Sequence, residues 1–170
     1  MQMPASPMRY LLLRRLFAIL LLALSTLAFA GAAEPVSTRD GAPIGGKDTV
    51  AYHDRANRDA HTATDGRAAF TVQYLGHAWR FASQASADKF AASPQAWVPQ
   101  YNGHCANALA SSEGLISTNG NVWEFFGDKL YLFYAERGRQ RWLQGDWQAF
   151  SKEADAAWKA ILLSRLKPRQ

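Results

Sequence analysis

The chain of 170 residues contains a single cysteine, Cys105. An internal disulfide is therefore excluded, and stability has to come from packing. Methionine occurs only at positions 1, 3 and 8, which removes a thioether copper site from everything downstream. Beyond residue 30 no apolar run approaches the ~20 residues that span a hydrocarbon core. There is no block of like charge, so nucleic acid is not expected as a partner. A Ser-His-Asp elbow, a phosphate loop and a dinucleotide fingerprint are also missing, which leaves hydrolase and kinase-type chemistries without an anchor.

What is present begins with a leader. Arg9, Arg14 and Arg15 precede the uncharged run LFAILLLALSTLAFA, and small residues follow it. Ala28-Phe29-Ala30 and Gly31-Ala32-Ala33 both fit the small-x-small rule, so residues 1–33 read as a signal peptide. The expected location is periplasmic or secreted. An uncleaved N-terminal anchor is the alternative, and the leader is then the membrane contact. LRRLFAI also carries the Arg-Arg-x-Phe core of a twin-arginine signal, but Leu13 replaces the expected Ser or Thr, and an ordinary Sec leader looks the same. Removing the leader takes away three basic residues and no acids, so a formal charge of +5 falls to +2. Cleavage after Ala33 leaves 137 residues, enough for one core.

The remainder reads as α+β. Residues 34–43 are small, polar and turn-rich and read as a linker, with the domain over 44–163 and a basic tail at 164–170. Thr49 to Tyr52 is a short β-capable piece, and DAHTATDGRAAF reads as loop. FTVQYLGHAWRFAS alternates about Leu75-Gly76-His77, a hairpin signature. Ser83 is placed to cap a short helix with Phe90 inward, stopped at Ser93-Pro94. Helical turns broken at Pro99 and Gly103 follow. VWEFFGDKLYLFY predicts a second hairpin about Gly127-Asp128. A long amphipathic helix closes the chain, with Trp147, Phe150, Ala154, Ala157, Trp158, Ile161 and Leu162 on one stripe. The expected architecture is two antiparallel hairpins forming a small sheet against short helices and this long one.

At GGKDTVAYHD, AWRFASQASADKFAASPQAWVPQYNGHCA and WEFFGDKLYLFY the chain resembles the YHS-domain family. It is most similar to the exported single-domain branch with a Gly-x-Cys-Ala element. The resemblance covers about residues 44–160. In the metal-binding branch three cysteines fall on positions occupied here by Ala51, Ala82 and Ser86. Alanine offers no ligand and a serine hydroxyl suits soft ions poorly. The resemblance therefore implies the scaffold without that metal site. It also implies reactivity at Cys105, where relatives in this branch place cysteine or selenocysteine.

Three fates are open for Cys105: reactive thiol, metal ligand, or small buried hydrophobe. The helix expected after it lowers a thiol's pKa, and an imidazolium at His104 adds to this if the side chains converge. His104 is accordingly the second candidate catalytic residue. Tyr52 and Tyr101 are expected to line a pocket beside Cys105 with Gly103. Asp48 is counted with that pocket, where it either orients a partner or caps backbone N–H groups. His53, His104 and Cys105 are the candidate metal set, for Cu or Zn, although their spacing alone does not mark a site. His61 and His77 are expected in solvent, and Trp79, Trp97, Trp123 and Trp142 in the core. With one thiol, chemistry needs an external partner: a small thiol, an oxidant or another exported protein. The alternative is a non-enzymatic module that binds a ligand, metal or protein and holds an inert thiol.

Overall fold

Alternation of apolar residues across a tight turn builds the first hairpin. In a computed structural model that describes residues 33–166, β3 (Arg67–Tyr74) pairs antiparallel with β4 (His77–Phe81). Leu75 and Gly76 turn the chain with φ of 51° and 77°, the left-handed pair that matches strand twist. These strands follow β1 (Thr38–Arg39), β2 (Ala42–Pro43) and α1 (Arg55–Ala60). After β4, the Ser83 hydroxyl accepts the Ser86 N–H at 3.2 Å and starts α2 (Gln84–Ala92). Pro94 opens α3 (Pro94–Trp97), where a missing N–H costs nothing. A 3₁₀ turn at Gln100–Gly103 and α4 (Ala106–Ala110) lead to the second hairpin.

That hairpin, β5 (Val122–Phe126) with β6 (Lys129–Phe133), divides the core. Its residues are apolar almost without interruption because both faces are covered. Trp123, Leu130 and Leu132 face a first cluster with Ile44, Tyr52, Trp79, Phe81 and Phe90. Phe126, Tyr131 and Phe133, one step out of phase, face a second cluster with Tyr101, Leu109 and Trp142. The second cluster is closed by α5 (Glu136–Gln144) and α6 (Trp147–Arg165). Ala154, Ala157, Trp158 and Ile161 of α6 pack there, as the amphipathic stripe requires. The architecture is α+β, with three separate two-stranded antiparallel sheets rather than one.

Several local expectations are corrected. Residues 34–43 do not form a linker: Val36, Ser37 and Ala42 are buried and the segment pairs as β1–β2. Ser37 is held at three points. Its N–H donates to Asn102 O, its carbonyl accepts the Ile44 N–H, and its hydroxyl accepts the Thr118 N–H. Ala51–His53 is a 3₁₀ turn rather than a strand, because Asp48 caps the N–H groups that a ladder would need. The loop expected at 59–70 is shorter: α1, which buries no residue fully, ends at Ala60, and β3 begins at Arg67. The α5 helix was not expected, since ERGRQRWLQ buries only Trp142 and shows no apolar stripe. Finally, α6 runs to Arg165, into the segment read as a tail. The leader lies outside the described residues, apart from Ala33.

Candidate functional site

The approach to Cys105 is a left-handed turn. Tyr101, Asn102 and Gly103 have φ of 58°, 49° and 82°, and the two non-glycine residues each cost about 1–2 kcal/mol in that region. Side chains and neighbouring strands hold the turn in place. Asn102 Nδ2 donates to Glu34 Oε2 at 3.0 Å and to Pro35 O at 3.1 Å. The Tyr101 hydroxyl donates to Asp155 Oδ1 at 2.9 Å, on α6. Gly103 O accepts the Thr118 hydroxyl at 2.8 Å. A Cβ at residue 103 would overlap Ile44 Cγ2, so the position admits only glycine.

The turn sends the next two side chains to different places. His104 is buried, with Nδ1 3.0 Å from Tyr101 O and its ring 5.9 Å from that of Trp158. A carbonyl only accepts, so Nδ1 carries the proton and Nε2 is bare. Burial holds the His104 pKa below the ordinary histidine value against that hydrogen bond, and Arg165 adds to the depression. The expected imidazolium beside the thiol is therefore absent at neutral pH. His104 does not line the cavity that holds Cys105.

Cys105 is 4% exposed and precedes the short helix α4. Its N–H donates to Ile116 O, and its Sγ accepts the Tyr134 N–H at 3.3 Å. Cys105 forms part of the wall of a cavity of about 430 Å³. Asn107 and Ser111 of the α4 segment and Arg137 and Arg141 of α5 are in the lining, with Tyr134 and Glu113. None of these neighbours was expected from the sequence. The signal was available in the Arg-x-x-x-Arg spacing of RQRWLQ and its upstream arginine, which puts Arg137 and Arg141 on one helical face.

The expected aromatic neighbours lie elsewhere. Tyr52 is fully buried in the first cluster, donating to Gly120 O at 2.6 Å, and burial followed by the Asp48 charge pushes its pKa up. Tyr101 belongs to the second cluster; burial, then its bond to Asp155, raises its pKa too. Neither lines the thiol cavity, and Gly103 shapes the turn rather than a pocket wall. His53 meets Trp97 and Phe125 edge-on at 5.0 and 4.9 Å. Burial, then the Arg58 charge, lowers its pKa. His53, His104 and Cys105 thus do not assemble, and no group of three or more His, Cys, Asp or Glu among the described residues suits a metal. The Cu or Zn expectation has no preassembled ligand set there. His61, expected in solvent, stacks on Trp123 with centroids 4.3 Å apart.

Asp48 is a cap. At 1% exposure, its Oδ1 accepts the N–H groups of Val50 and Ala51 at 2.9 and 3.2 Å. Its Oδ2 accepts the Ala82 N–H at 2.9 Å, and the Ser86 hydroxyl donates across both oxygens. The carboxylate thereby joins the Ala51 turn to the β4–α2 junction. Ala51, Ala82 and Ser86 come together around it and line a hollow of about 180 Å³.

Fold and geometry define an α+β domain with a thiol in the wall of a basic-edged cavity. Compared with known proteins, the chain matches no family model, no curated protein and no solved structure.

Proposed function

We propose that this protein is an exported YHS-like domain whose working group is the Cys105 thiol, acting in exchange with an external thiol or oxidant. The observation that carries the reading is the place of Cys105. Cys105 lines a cavity that Arg137 and Arg141 also line, and its sulfur accepts a backbone N–H. Cys105 thereby borders a space that a small reagent can enter. The YHS resemblance is supported by the meeting of Ala51, Ala82 and Ser86 around Asp48, since positions far apart in sequence converge where a shared site would need them. The leader supports a periplasmic or secreted location.

With no second cysteine in the chain, oxidation stops at a sulfenic acid or a mixed disulfide until another molecule resolves it. Incubation of the folded protein with a small disulfide, followed by intact mass measurement, tests this. The reading expects one adduct on Cys105, absent in Cys105→Ser and removed by excess thiol. An unmodified folded protein counts against it. The second reading, a ligand-binding module with an inert thiol, is favoured by the 4% exposure of Cys105. Metal-responsive chemistry would need ligands from outside the described residues or from a partner.

A further inference from the structure

We infer that the Cys105 cavity selects small, amino-acid-derived thiol compounds bearing carboxylates, with Arg137 as the residue that selects them; this rests on the thiol reading above. The argument starts from three arginines on α5. Arg139 pairs with Glu124 and Glu136. Arg137 and Arg141, one turn apart on the same face, enter no ion pair among the described residues. Like charges at that spacing weaken a helix, so the pair calls for an anion from outside.

The two guanidinium groups differ in how they are held. Arg141 Nη1 donates to Asn107 Oδ1 at 2.8 Å and Ser111 Oγ at 3.2 Å, and its guanidinium lies 4.1 Å from the Phe150 ring centre. These partners fix it without neutralising it. Arg137 is exposed and makes no side-chain hydrogen bond among the described residues, so its donors remain for a ligand. A guanidinium fork matches a carboxylate in two bonds, which a neutral ligand does not provide. Glu113, also in the lining, supplies the one acid and suits an ammonium. Carboxylate, ammonium and sulfur together describe an amino-acid or peptide thiol. The exchange balances without another reactant. Cys105 Sγ attacks one sulfur of the small disulfide, forming a new S–S bond as the old one breaks. The departing sulfur takes the electron pair and the proton that Cys105 gave up.

The test compares two disulfides, oxidised glutathione and cystamine, on the folded full-length mature protein. Oxidised glutathione carries carboxylates; cystamine carries only ammonium groups. The inference expects glutathione to react about tenfold faster, because local positive charge concentrates an anion and repels a cation. In Arg137→Gln that preference, read as the ratio of the two disulfide rates, collapses. Equal rates with both disulfides, or a preference that survives in Arg137→Gln, overturns the inference and leaves the thiol reading standing. Recognition is read separately by titrating S-methylglutathione into Cys105→Ser. Saturable binding that weakens in the Cys105→Ser, Arg137→Gln double variant supports selection by the cavity even if the wild-type thiol proves inert. No saturable binding overturns it.

Discussion

His104 and Cys105 are neighbours in sequence whose side chains serve different ends. His104 fixes a turn through Tyr101 O, and burial keeps it neutral. His53 is also depressed, by burial and then Arg58. In the unfolded chain both protonate near the ordinary histidine value of ~6.5, whereas the folded protein resists protonation until lower pH. Their contribution to stability is therefore complete above ~6.5 and is lost as pH falls toward the folded values. Urea midpoints at pH 7.5 and 5.5 check this: the midpoint drops at the lower pH, and His104→Asn reduces the drop. A pH-independent midpoint contradicts it. Asp48 offers a second residue-scale test. Its carboxylate takes three backbone N–H groups and a hydroxyl at 1% exposure. Asp48→Ala leaves those donors unmet and is expected to cost about 3 kcal/mol in a denaturation measurement. The capping role of Asp48 was one of two readings left open, because Asp commonly accepts nearby backbone N–H groups. The partners of Cys105 were not legible, since Arg137 and Arg141 reach it only through the tertiary fold.

The left-handed turn at Tyr101–Gly103 is the element on which the site depends. Gly103→Ala adds a Cβ against Ile44 at φ 82° and is expected to lower stability by more than about 2 kcal/mol. The same variant should open Cys105 to slow reagents, read as faster labelling by a bulky maleimide. At the other end of the scale, Ser83→Ala removes the α2 cap and should cost only about 1 kcal/mol, with labelling unchanged. Elements with their own period or punctuation were readable from sequence: both hairpins, the Ser83-capped helix and α6. The β1–β2 pair and α5 were not. The first is two residues per strand, held by Ser37 to distant segments. The second has one buried residue, Trp142, in a charged stretch.

Across the molecule, the β5–β6 hairpin couples the two clusters, so the site side cannot loosen alone. Trp142, fully buried in the second cluster, sits on the same helix as Arg137 and Arg141. Trp142→Ala is expected to cost about 3–5 kcal/mol, a large share of the ~5–15 kcal/mol of a whole domain. The α+β class followed from local patterns, whereas the separation into three sheets depends on which faces meet. No helix among the described residues is long and apolar enough to cross a membrane. The central claim is that Cys105 works from the folded state, and the labelling rate with iodoacetamide across urea concentrations tests it most directly. The account predicts a finite rate that stays flat until the unfolding transition, since the cavity admits the reagent to the native protein. A rate that rises with urea from the outset, tracking the unfolded fraction, would make Cys105 a packing residue and contradict the account.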